Sequence, residues 1–277
     1  MLRNYVELDV FTDQPFKGNP LAVVIDSEGL ADEAMQQFAN WTNFSETTFL
    51  LPPTDPGADY AVRIFTPSFE LPFAGHPTLG SCHAWLAAGG RPRSDDGVVV
   101  QECGVGLVPV RQAGDGRLAF AAPPLVRSGP LDDDLRDDVA SVLGLATDDI
   151  VDSAWIDNGP GWIGVLLASA DAVLAVSPGS TDHKIGLIGP HPPGSDAAYE
   201  VRGFFPNAGV TVEDPVTGSL NASAAQWLVG SGRFTPPYVA TQGTAIGRAG
   251  QVHVSADADQ IWVAGDVVTR VAGTVDL

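Results

Sequence analysis

At 277 residues the chain is long enough to bury the cores of two ordinary domains. With 34 acidic against 14 basic residues its formal charge is −20, so its surface repels phosphate backbones and anionic lipid, and neither nucleic acid nor membrane is an expected partner. Cys82 and Cys103 are too few for a disulfide scaffold or a structural zinc site; buried, inert thiols are expected, and with no apolar leader or membrane-length run the expected location is the cytoplasm.

Taken in chain order, Tyr5 to Phe11 alternates as a half-buried strand does, and Leu21 to Ile25 continues it after the turn-rich stretch from Gln14 to Pro20. Leu30, Ala34 and Phe38 recur at helical spacing behind Ser27. A lone acid, Glu46, then stands between that helix and the apolar run that follows. Leu131, Leu135, Val139 and Val142 form a second periodic helix, whose Asp-rich opening lies near the positive end of the dipole. Short β-type runs occupy 61–65, 98–101, 107–110, 162–167, 252–254, 261–263 and 267–271. The pattern predicts a strand-rich α+β protein with few helices.

An internal echo organises these elements. Arg63-Ile-Phe-Thr-Pro is answered by Arg202-Gly-Phe-Phe-Pro, and Glu70-Leu-Pro-Phe-Ala-Gly75 by Glu213-Asp-Pro-Val-Thr-Gly218, the same E-x-P-x-x-G spacing 143 positions later. Each glycine opens a stretch with no charged residue, Thr78 to Ala88 and Ser219 to Val229, which cannot be a surface helix with a solvated face. A curved sheet closed around a central helix, made twice, accounts for both. The expected division is an N-terminal domain over 1–125, to which a strand at 265–277 could return, and a C-terminal domain over 126–264.

A helix entered through glycine offers unspent backbone N–H groups and a positive dipole end, which hold a carboxylate without lysine or arginine. His76 and Ser219 follow the two glycines, and Asp214 lies just before the second. Paired with a carboxylate such as Asp214, His76 could pass a proton near neutral pH; equally, Asp214 could be a helix cap and His76 a core histidine. Glu46, beside Phe44, Phe49 and Leu50, is either a partly desolvated acid/base or an exposed acid at a turn. Serine-hydrolase, zinc-hydrolase, P-loop and dinucleotide motifs are absent, and no histidine has metal-site spacing.

These residues resemble the PhzF family of phenazine biosynthesis, whose fold is that of diaminopimelate epimerase. The likeness runs nearly end to end, through Phe16-Lys-Gly-Asn-Pro20, Asn43-Phe-Ser-Glu-Thr-Thr-Phe-Leu50, Phe73-Ala-Gly-His-Pro-Thr-Leu79, Asn158-Gly-Pro-Gly-Trp162, Glu213 to Ser219 and Gln242 to Gly250. The resemblance implies two β-barrel-like domains, each around a central apolar helix, a homodimer, and no metal or organic cofactor. It also implies Glu46 as acid/base, with His76, Asp214 and Ser219 assisting proton movement and Asn19, Ser45, Gly75 and Gly218 holding a small carboxylate substrate. Where epimerases of this fold carry two thiols before the glycines, this chain has Ala74 and Thr217. The expected reaction is therefore a proton shift on a cyclic substrate such as trans-2,3-dihydro-3-hydroxyanthranilate. The alternatives are an amino-acid epimerase or racemase using Glu46 with some other base, and a non-catalytic small-molecule binding protein.

Overall fold

A computed structural model describes every residue except Ala208 and Asp259. The chain begins with β1 (Leu2–Val10), β2 (Asn19–Val24), α1 (Asp32–Thr42), β3 (Glu46–Leu51), β4 (Tyr60–Phe65), β5 (Glu70–Leu71) and α2 (Gly75–Ala87). It continues through β6 (Val99–Cys103), β7 (Gly106–Gln112), β8 (Leu118–Ala121), β9 (Arg127–Pro130), α3 (Asp133–Leu143), β10 (Ile150–Asp157), β11 (Trp162–Leu167) and α4 (Ala170–Ala175). It ends with β12 (Lys184–Pro190), β13 (Tyr199–Asn207), β14 (Val210–Asp214), α5 (Gly218–Gly230), β15 (Tyr238–Gln242), β16 (Gly250–Asp257), β17 (Gln260–Gly265) and β18 (Val267–Asp276). No helix among the described residues is long and apolar enough to cross a membrane.

The chain divides into two compact units, one made of Met1–Ala121 and Ala264–Leu277, the other of Ala122–Val263. In the first, β1 pairs antiparallel with β18 and β2, β2 parallel with β3, β3 antiparallel with β4, β4 antiparallel with β5 and parallel with β6, and β6 antiparallel with β7. The second repeats this ladder step for step. There β10 pairs antiparallel with β9 and β11, β11 parallel with β12, β12 antiparallel with β13, β13 antiparallel with β14 and parallel with β15, and β15 antiparallel with β16. The sequence echo is thus the visible part of a repeat that covers each unit.

Within each unit the uncharged helix sits inside the curve of the sheet. Helix α2 touches β1, β2, β3, β4, β6, β7, β8 and β18, which is why it carries no solvated face. Close approach is possible where the helix and sheet are small: a Cβ on Gly80 of α2 would run into Leu21 and Leu8 on β2 and β1. Helix α5 closes on its own sheet at Gly186 and Gly203, where an added Cβ would meet Leu220.

The amphipathic helices pack on the outer faces. Helix α1 contributes Met35, Phe38 and Ala39 to a cluster with Val24, Phe49 and Phe65, in which Phe49 meets Phe65 edge-on at 5.5 Å. Helix α3 adds Val139, Ala140 and Leu143 to the second unit's outer core. Its start is fixed by Asp132, whose side chain accepts from the Leu135 N–H.

Two sequence expectations need correction. Ser27 does not open α1; its hydroxyl turns back to the Val24 carbonyl, and the helix begins after Ala31 with no side-chain cap. Cys82 is buried, and burial pushes its thiol up to about 12, but Cys103 is only half-buried at the turn end of the β6–β7 hairpin, its Sγ donating to the Gly106 carbonyl at 3.7 Å.

Candidate active site

In the first unit three element starts converge. Strand alternation directs Glu46: Phe49 of β3 faces α1, whereas Thr48 faces α2 and accepts a hydrogen bond from Ser81 Oγ at 3.0 Å. Glu46 lies two residues before Thr48 and so on the same face. The parallel register sets Leu21 of β2 opposite Glu46, which brings Asn19, at the start of β2, to the same end. Helix α2 presents His76 there, directly after Gly75.

His76 Nε2 lies 3.4 Å from Glu46 Oε2, and Asn19 Nδ2 lies 3.4 Å from His76 Nδ1. Asn19 and His76 are buried, while the Glu46 side chain retains 16% of its exposure. Burial pushes the His76 imidazole down to about 3, against the opposing pull of a hydrogen bond to the Pro20 backbone. The ring is therefore neutral across the physiological range, and its contact with Glu46 joins a carboxyl to an imidazole that resists a second proton.

The loop that delivers Asn19 is itself fixed. The buried Asp9 carboxylate accepts from Lys17 N at 3.1 Å and Gly18 N at 2.8 Å. Gly18 leaves no room for a side chain, since a Cβ would collide with the Val10 carbonyl oxygen. Ser45 sits half-buried beside Glu46, after Asn43 has ended α1 in the left-handed region at φ 56°. Gly75 opens α2 behind Ala74 with no capping side chain, so the first-turn backbone carries the positive end of the helix.

The second unit builds the corresponding entrance differently. Gly218 opens α5 and Ser219 follows it, its hydroxyl accepting from Trp162 Nε1 at 3.0 Å and its carbonyl from Asn158 Nδ2 at 2.9 Å. The Asn158-to-Trp162 motif, given no role from the sequence, thus holds Ser219 from both sides. Asp214 ends β14 and accepts from Thr217 Oγ1 at 2.6 Å. The carboxyl beside His76 in its own unit is Glu46. Among the described residues no group of three or more His, Cys, Asp or Glu side chains is placed to hold a metal ion.

Sequence reasoning missed two buried glutamines. Gln101 on β6 donates to Thr78 of α2 at 3.1 Å, and Gln242 on β15 donates to Thr217 at 2.9 Å while accepting from Asn221 of α5 at 2.7 Å. Thr78 and Asn221 each stand three residues after their helix-opening glycine. The signal was available: each glutamine is the lone amide in a strand that pairs parallel with the Arg-x-Phe strand of its unit.

A profile of the family described as phenazine biosynthesis-like protein matches residues 8–273. The chain belongs to that family. It is 35% identical to the trans-2,3-dihydro-3-hydroxyanthranilate isomerase of Pseudomonas fluorescens, with 100% of both chains covered. It is 34% identical to the Schizosaccharomyces pombe protein named antisense-enhancing sequence 1, over 98% of this chain and 97% of that one. Among solved structures, a PhzF-family protein of Bacillus anthracis superposes with a TM-score of 0.82 at 23% identity, covering 100% of both chains. The α+β fold is that of the PhzF proteins, of diaminopimelate epimerase type, and the enzyme class of the family is isomerase.

Proposed function

We propose that this PhzF-like isomerase moves a proton on a small cyclic carboxylate, with trans-2,3-dihydro-3-hydroxyanthranilate as the first candidate, and that Glu46 is its acid/base. The observation that carries the reading is the Glu46–His76 pair, 3.4 Å apart, one member partly exposed and the other sealed. A proton taken up by Glu46 has a neighbour that will not keep it, because burial holds the imidazole down to about 3. The proton stays on the carboxyl and is available for return to a second carbon on the same face of the ring. His76 orients that carboxyl, and Asn19 and the Pro20 backbone orient His76.

In this reading Asn19, Ser45, Gly75 and Gly218 hold the substrate, the two glycines through the amide ends of their helices, and Asp214 and Ser219 assist proton movement. Alanine at 74 and threonine at 217 favour a one-carboxylate shift over inversion between two thiols, since neither is a base at neutral pH. The working form is a cytoplasmic homodimer.

The test is turnover of trans-2,3-dihydro-3-hydroxyanthranilate by the wild type and by Glu46→Gln, which keeps the shape of the side chain and removes its proton. Loss of about 10²-fold or more in kcat, with solvent deuterium entering the product of the wild type alone, supports the assignment. Wild-type turnover by Glu46→Gln would refute it. Tight binding of substrate with no proton exchange by the wild type would make the protein a binding module.

A further inference from the structure

Gln242 is buried and makes four hydrogen bonds at the entrance of α5. Its Oε1 accepts from Thr217 N at 2.9 Å and from Asn221 Nδ2 at 2.7 Å. Its Nε2 lies 3.2 Å from the Asp214 backbone oxygen and 2.9 Å from Thr217 Oγ1. Two of these partners have only one possible role, since a backbone N–H donates and a backbone carbonyl accepts. The amide therefore cannot be turned over, and Nε2 is a donor to Thr217 Oγ1. The Thr217 hydroxyl must send its own proton elsewhere, and Asp214 Oδ2 stands 2.6 Å away. That distance falls in the range of a hydroxyl donating to an ionised carboxylate. The chain of hydrogen bonds has one direction, from Gln242 through Thr217 to Asp214.

The first unit supplies the internal comparison. Gln101 reaches Thr78 there as Gln242 reaches Asn221, so holding the helix entrance is common to both units. In the aligned E-x-P-x-x-G segments, however, Leu71 stands where the second unit has Asp214, and Ala74 where it has Thr217. Carboxylate and hydroxyl are present together or not at all, which helix-holding alone does not require. The sheet makes room for the pair: Gly203 lies opposite Asp214 in the ladder, and a Cβ on it would come within 2.8 Å of Thr217 Oγ1.

We propose that Thr217 and Gln242 are positioning residues that hold Asp214 as an ionised proton acceptor. The proposal rests on the reading of Asp214 as a proton-moving residue. Charged groups on the surrounding elements include Glu213, on the opposite face of β14 and closed on Arg202 of β13; Glu200 of β13, which accepts from Thr241 Oγ1 of β15 and lies 3.7 Å from His191; and Arg248, whose Cβ lies against Gly243 beside the Pro215 carbonyl.

The experiment compares pH profiles of kcat/KM for the wild type, Thr217→Val and Thr217→Ser. Valine keeps the shape and removes the donor, so the carboxylate loses stabilisation, and the acid limb is expected to move up by about one pH unit with little change in KM; serine is expected to restore it. A wild-type profile in Thr217→Val would overturn the relay. Asp214→Asn separates this from the underlying reading: if that variant turns over normally, the role of Asp214 fails, whereas an inactive Asp214→Asn beside an unshifted Thr217→Val sinks the relay alone. A carbon-13 titration of the Asp214 carboxyl in the wild type, assigned by its loss in Asp214→Asn, needs no Thr217 variant. A midpoint below the ordinary value of about 3.9 supports the relay, and one at or above it overturns it.

Discussion

Arg202 closes on Glu213 with two parallel hydrogen bonds, Nε to Oε1 at 3.0 Å and Nη2 to Oε2 at 2.8 Å. Arg63 closes on Glu70 in the same way, at 2.8 and 2.6 Å. Each arginine also lies near a phenylalanine two residues on, 4.8 Å from the Phe204 ring and 5.0 Å from that of Phe65. The two pairs differ in burial. Side-chain exposures are 7% and 10% for Arg202 and Glu213, against 26% and 40% for Arg63 and Glu70. Breaking a buried pair leaves an uncompensated charge, so Glu213→Gln is expected to cost about 3–5 kcal/mol. Glu70→Gln, in better solvated surroundings, is expected to cost about 1 kcal/mol or less. Urea denaturation of the two variants at neutral pH measures the difference.

His76 makes stability depend on pH. Its folded value, near 3, lies below the ordinary 6.5, so the unfolded chain binds a proton that the folded chain refuses. Stability is then fully present above 6.5 and is lost as pH falls from there towards 3, with a slope of up to one proton, ~1.4 kcal/mol per pH unit. His76→Asn cannot titrate. Denaturation midpoints measured between pH 4 and 7 are expected to fall less steeply for that variant than for the wild type.

Two glycines of the second unit give opposite predictions for the same change. A Cβ on Gly203 would stand 2.8 Å from Thr217 Oγ1 and 3.1 Å from Leu220 Cδ2, so Gly203→Ala is expected to destabilise by about 1–3 kcal/mol. At Gly230, the last residue of α5, a Cβ meets no atom within 4 Å and the backbone needs no positive φ. Gly230→Ala is expected to stabilise by about 0.5–1 kcal/mol through the unfolded chain. Thermal melts of both variants decide the sign.

The start of α3 depends on Asp132, which accepts from Leu135 N at 2.9 Å. Asp132→Ala is expected to cost about 1 kcal/mol. Asp132→Ser should recover most of it, which the same melts would register.

How much of this was legible depended on whether a residue's neighbours in sequence are also its neighbours in space. The two central helices could be read, because an uncharged run after glycine has few folded solutions. The strands could be read where β-branched residues clustered, as at Trp162 to Leu167. The Arg202–Glu213 pair was invisible although both residues had been noticed in the echo, since the hairpin of β13 and β14 that joins them is set by register and not by composition. Gln101 and Gln242 were missed for a related reason: an amide in a short strand reads as facing solvent until the helix behind it is known. Glu46 could be singled out as a lone acid before an apolar strand, but its neighbour His76 is 30 positions away.

The last strand carries a consequence for biosynthesis. β18 supplies an edge partner to β1 in the unit that holds Glu46 and His76, while the other unit is one uninterrupted stretch, Ala122–Val263. The β1–β18 ladder can therefore close only after the whole of the intervening unit has been synthesised. The sheet around the acid and its histidine thus depends on a pairing of long sequence separation, the kind of contact whose loop-closure entropy slows folding.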